Sequence, residues 1–200
     1  MNKKITKLAS LVLDFGKVNR QTFHQDGINP ESDTDHTVML GILGVALASR
    51  LYKDLDLGLV AQFALVHDLV EAHAGDTPTL MGVNKDFLKQ KEKREKKALN
   101  KIKKEFGKDF GWIHKTIEKY EKLDTKEARY IKVLDKILPK ITVILNNAKA
   151  INDKKLATKE GAKKTFDIQR EKITGLAYDM PELIELWEIY ISKELKLLKC

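Results

Sequence analysis

Cysteine is nearly missing from this 200-residue chain, and the single Cys200 has no internal partner. No disulfide framework therefore holds the fold, a usage that fits a reducing compartment, and Cys200 reads as a frayed end. Prolines number only four and no low-complexity stretch appears, so nothing marks a linker between domains. No apolar run reaches the roughly 18 residues that a membrane-crossing helix needs. The longest, Val38 to Ser49, stops at Arg50. Met1-Asn2-Lys3-Lys4-Ile5 has the lysines of a signal peptide without the long apolar segment that should follow. A cytoplasmic protein with no membrane partner is the expectation. Alternating apolar and polar residues, the mark of half-buried strands, are absent too.

What remains is 42% hydrophobic and 33% charged residues, the balance of a globular chain long enough to bury a sizeable core. The net charge of +8 raises nucleic acid, anionic membrane or phosphorylated small molecules as partners. Its distribution favours a blander reading. Between Lys85 and Lys122 lysines mix with Glu92, Glu95, Glu105, Glu118 and Glu121. Lys91 with Glu95, and Glu92 with Lys96, have the i,i+4 spacing of pairs on a solvated helix face. No nucleic-acid-binding motif accompanies the charge.

Helical periodicity dominates. Ile5, Leu8, Leu11 and Val12 form one amphipathic stripe. Residues 35–52 predict a helix with Asp33 or Thr34 as its N-cap. Another runs from Asp56 or Leu57 to about His73, ended by the loop Gly75-Asp76-Thr77-Pro78. Lys85 to Phe106, Ile113 to Glu121 and Lys126 to Ala150 follow, the last expected to kink at Pro139. Pro181 opens a final helix through Leu183, Leu186, Trp187 and Tyr190. Trp112, Trp187 and Tyr190 fit packing between helices, and His24, His73 and His114 fit structural roles. The fold class is all-α.

Within Phe63-Ala64-Leu65-Val66-His67-Asp68-Leu69-Val70-Glu71, a histidine and an aspartate follow an apolar run. A buried aspartate needs its charge met, by a metal ion or by a lysine or arginine. His36 and Asp135 lie among apolar residues on other helices, so His36, His67, Asp68 and Asp135 form a candidate ligand set. Imidazole and carboxylate together suit Mn²⁺, Fe²⁺, Co²⁺, Ni²⁺ or Zn²⁺, and Mg²⁺ less well. Asp124 is an alternative to Asp135, although it reads as a loop residue. Glu71 alternatively pairs with a lysine, and Asp76 is alternatively a turn residue.

Three segments carry a resemblance: Glu31 to His36, His67-Asp68-Leu69-Val70-Glu71-Ala72-His73-Ala74-Gly75-Asp76, and Val133-Leu134-Asp135-Lys136. In order and approximate spacing they are similar to the pattern H…HDxxExxxGD…D of the HD-domain phosphohydrolases. More narrowly they resemble the YfbR-type 5′-deoxynucleotidases and their eukaryotic HD-domain relatives, over roughly residues 5–148. The resemblance implies a helical bundle with a metal site between core helices, in one HD domain over 1–200. Residues 151–200 would be a C-terminal helical extension packed on it. It implies one divalent transition-metal ion on His36, His67, Asp68 and Asp135. Glu71 and Asp76 match the acidic residues in which the family's catalysis is placed, and Arg20 matches an arginine that contacts phosphate. Glu71 is assigned to proton donation to the leaving group and Asp76 to holding the attacking water, an assignment that is reversible.

The expected reaction is dephosphorylation of (deoxy)nucleoside 5′-monophosphates by a homodimer. The last helix would supply its interface through Leu183, Leu186 and Ile189. A triphosphohydrolase is the alternative, with Lys85 and Lys89 serving a longer phosphate chain; a non-catalytic nucleic-acid or nucleotide binding module is the other. One departure stands out. Gln21 occupies the position after Arg20 where the family commonly has tryptophan, which puts the deoxyribose preference in question rather than the chemistry.

Overall fold

The computed structural model describes residues 1–76 and 85–199. Thr77-Pro78 of the loop, the Lys85 side chain and Cys200 lie outside the described residues. The elements run α1 (Asn2–Phe15), β1 (Asn19–Phe23), β2 (Pro30–Ser32), α2 (Asp33–Leu51), α3 (Leu57–Val66), α4 (Glu71–Ala74), α5 (Lys85–Phe106), α6 (Trp112–Glu121), α7 (Lys126–Leu145), α8 (Lys149–Asp153), α9 (Lys159–Leu176) and α10 (Pro181–Leu197). The all-α expectation holds, apart from a two-stranded sheet of β1 and β2. Those strands are five and three residues long and largely polar, too short to leave an alternating pattern. No helix among the described residues is long and apolar enough to cross a membrane.

The chain divides into two compact units, the first of residues 1–19, 32–76 and 85–128, the second of 20–31 and 129–199. In the first, α2 packs on α3 and α3 on α6. Gly44 and Ala48 on α2 are buried, small enough to leave room for the neighbouring helix. Leu11 and Phe15 of α1 join Val66, Leu69 and Val70 in one apolar cluster with Ala98, Ile102 and Phe106 of α5 and Ile113 and Ile117 of α6. Phe63 and Tyr120 pack with ring centroids 5.7 Å apart. Trp112, expected in helix packing, is instead 48% exposed and its indole N–H donates to Gln62 Oε1 at 2.8 Å.

Two local differences from the sequence reading matter for the site. The N-cap of α2 is Ser32, not Asp33 or Thr34. Its hydroxyl accepts from the Asp35 N–H at 3.1 Å while the Asp35 carboxylate accepts from the Ser32 N–H at 2.8 Å, a reciprocal capping box. The helix expected to reach His73 stops at Val66, and residues 67–70 form a turn before α4. Short i→i+3 bonds such as Leu69 N to Val66 O, 3.1 Å, and Glu71 N to Asp68 O, 2.8 Å, tighten it.

In the second unit α9 packs on α10, where Phe166 meets Trp187 edge-on at 6.1 Å. Leu183 is fully buried there, so it belongs to the core and not to an interface; Ile189 remains exposed. The Lys140 ammonium lies 3.6 Å from Glu194 and 4.1 Å from the Phe166 ring centroid. Burial pushes the Glu194 carboxyl up and the Lys140 ammonium down, each opposed by the other's charge. Removing one partner leaves a polar group buried in an aromatic wall. Glu194→Gln should cost about 3–5 kcal/mol in urea unfolding, and the double replacement Lys140→Met/Glu194→Leu far less. Equal losses would contradict this account of the pair.

Candidate metal centre

The capping box fixes where α2 begins and so directs its first turns. Asp33 and His36, three residues apart, share a helix face, and both are fully buried. From α3 the chain delivers His67, also buried, whose Nδ1 lies 2.8 Å from the carbonyl oxygen of Ala64. A carbonyl only accepts, so Nδ1 carries the proton and Nε2 presents a lone pair. That Nε2 lies 3.0 Å from Asp68 Oδ2. Two acceptors at that distance repel unless a proton or a metal ion stands between them. The rings of His36 and His67 have centroids 5.4 Å apart, and ligand atoms of His36, His67 and Asp68 lie within 4.8 Å of one another.

A second group overlaps the first: carboxylate oxygens of Asp33, Asp68 and Glu71 also lie within 4.8 Å of one another. Glu71 opens α4, only 2% exposed. Burial first, then the charges of Asp68, Asp33 and Asp76, push its carboxyl up to about 10; the Lys91 ammonium pulls the other way. Buried negative charge of this density calls for a cation. Two imidazoles and a carboxylate, backed by further carboxylates and by a backbone acceptor on the far ring nitrogen, fit a divalent transition metal.

Asp76 follows Gly75, whose φ of 72° and ψ of 155° suit glycine and end α4. It is half-buried, and its charge is among those that raise Glu71. Arg20 on β1 and Asp135 on α7 belong to the second unit. Arg20 is half-buried, and its charge acts on buried Glu31, which accepts a hydrogen bond from the Thr22 hydroxyl at 2.7 Å. Asp135 is 2% exposed and accepts from Lys136 Nζ at 2.7 Å. Asp124, the alternative to Asp135, is exposed before α7.

A family model described as an HD domain matches residues 16–177. The chain belongs to the HD-domain family. The match extends past residue 148, where the resemblance read from motifs ends. The mouse (Mus musculus) 5′-deoxynucleotidase HDDC2 is 32% identical over 108 residues, 53% of this chain and 51% of that protein. Its human (Homo sapiens) counterpart is 30% identical over 108 residues, 53% and 50%. The alignment thus spans about half the length of the curated relatives it matches.

Among solved structures, a predicted metal-dependent phosphohydrolase from Magnetospirillum magnetotacticum MS-1 superposes with a TM-score of 0.70 at 21% identity, covering 96% of this chain and 95% of that one. A conserved hypothetical protein from Pyrococcus furiosus gives 0.59 at 25% identity, covering 92% and 99%. The first of these likenesses speaks to the fold alone.

Two residues of this HD-domain centre escape a reading of the sequence. Asp33 looks like a helix cap, although its position three residues before His36 places it on the same face. Lys91 looks like one of many solvated lysines. If His67 and Asp68 hold a divalent cation, Mn²⁺ at about 100 times its Kd should stabilise the chain by about 2.7 kcal/mol in urea melts. The His67→Ala/Asp68→Ala variant should show no such gain; equal stabilisation of both chains would place the ion elsewhere.

Proposed function

We propose that this chain releases inorganic phosphate from nucleoside 5′-monophosphates, deoxyribonucleotides among them, using one divalent transition-metal ion. The observation that carries the reading is the 3.0 Å approach of His67 Nε2 to Asp68 Oδ2 within a buried group of carboxylates. It is supported by the names of the mouse and human relatives, both 5′-deoxynucleotidases. Mn²⁺, Co²⁺, Fe²⁺, Ni²⁺ and Zn²⁺ suit the mixed imidazole and carboxylate donors better than Mg²⁺.

His36, His67 and Asp68 would hold the ion, with Asp135 as the fourth ligand by its match to the family pattern. A divalent cation there supplies Lewis-acid charge for the phosphoryl oxygens and makes the attacking water more acidic. Asp76 is assigned to orienting that water and accepting its proton as oxygen attacks phosphorus. The bond from phosphorus to the 5′ oxygen then breaks, and Glu71 delivers a proton to that oxygen. Burial favours the protonated carboxyl of Glu71, the form a general acid needs. A cation beside Asp68 offsets part of the negative charge that raises it, bringing the proton within reach of transfer. Arg20 supplies a planar fork for the phosphate. Gln21 in place of the family's tryptophan leaves the sugar less closely read, so ribonucleotides should be accepted as well.

The test is a panel of nucleoside mono- and triphosphates given to EDTA-stripped protein, each metal restored separately and the products resolved. Phosphate and nucleoside from monophosphates, dependent on metal, is the expected outcome. Tripolyphosphate from triphosphates would move the reading to a triphosphohydrolase, and inertness toward every nucleotide would overturn it. A homodimer is proposed with it, and light scattering at micromolar protein should return twice the mass of 22.8 kDa; the monomer mass would refute that.

A further inference from the structure

We infer that Lys91 is a positioning residue of this centre, holding the Glu71 carboxylate in place while Glu95 holds Lys91 in turn. The inference rests on the proposed role of Glu71 as proton donor. Lys91 Nζ lies 3.7 Å from Glu71 Oε1 and 3.3 Å from Glu95 Oε1. One ammonium has three donors, enough to serve both carboxylates.

Its place on α5 separates it from the solvated lysines around it. Lys89, Lys93, Lys96 and Lys97 are exposed, whereas the Lys91 side chain is only 24% exposed. Lys91, Glu95, Ala98 and Ile102 follow at intervals of four, three and four residues, and Ala98 and Ile102 are buried. A lysine and a glutamate thus occupy the stripe that the rest of the helix fills with apolar side chains. Burial disfavours the charged ammonium there, and the charges of Glu95, Glu71 and Asp68 more than restore it. The Glu71 carboxyl is crowded by the carboxylates of Asp68 and Asp33, all three within 4.8 Å of one another. The Lys91 ammonium, 3.7 Å from Glu71 Oε1, offers that oxygen a fixed donor and sets the direction in which the Glu71 carboxyl points.

The experiment combines Lys91→Met, Lys91→Arg and Glu71→Gln, each first checked by thermal melting for a folded chain. With a nucleoside monophosphate as substrate, Lys91→Met should lower kcat about 10–100-fold with KM near that of the parent, the scale typical of groups that orient a metal site. Lys91→Arg should recover part of the loss. In the Glu71→Gln background, Lys91→Met should cost nothing further, because its target is already gone. A rise in KM alone, or the same fall in kcat in both backgrounds, would overturn the inference.

The second readout needs no turnover: Mn²⁺ binding by calorimetry. Removing an ammonium whose charge acts on the ligand Asp68 should tighten Mn²⁺, whereas loss of a merely structural residue loosens it. Unchanged or weakened affinity in Lys91→Met overturns the inference even if the parent chain is inert on nucleotides. That inertness would itself defeat only the substrate reading.

Discussion

The constraint on which the centre depends is the burial of negative charge. Asp33, Asp68 and Glu71 bring three carboxylates within 4.8 Å of one another, and Asp33 and Glu71 have almost no access to water. An isolated buried carboxylate either finds a cation or takes up a proton. For Glu71, burial and the neighbouring carboxylates favour the protonated form. For Asp68, adjacency to the His67 lone pair makes a divalent ion the fitting counter-charge.

The rest of the first unit serves that geometry. The Ser32–Asp35 capping box sets the start of α2 and with it the facing of Asp33 and His36. The backbone turn at residues 67–70 separates His67 from α4, so that Glu71 begins a new helix instead of continuing the old one. Leu69 and Val70 of that turn are buried in the apolar cluster with α1, α5 and α6, which anchors it. The Ala64 carbonyl fixes the tautomer of His67. Function here is assembled from ordinary packing and capping, with the cost concentrated in a few polar side chains.

The helical class was legible because its signals are long: four- to six-turn stripes such as that of α5 survive any single ambiguous residue. The clustering of His36, His67 and Asp68 was legible because histidine and aspartate in apolar runs have few structural explanations. Three things were not. The β1–β2 pair is too short and too polar to show a period. The break after Val66 leaves no glycine or proline to mark it; it arises from i→i+3 bonding. Asp33 and Leu183 were misjudged, and the second partner of Lys91 beyond its expected pair with Glu95 was missed, for one shared reason: these contacts depend on what faces each residue across the fold. Asp33 meets carboxylates from a turn more than 30 residues away, Lys91 meets Glu71, and Leu183 meets the core.

The central claim is that His36 and His67 bind the same divalent ion. Pulsed EPR on the Mn²⁺-loaded chain tests it most directly, because imidazole nitrogens couple to the bound electron spins. The account predicts couplings from two nitrogens, one lost in His36→Ala and the other in His67→Ala. Bound Mn²⁺ without nitrogen coupling would contradict it.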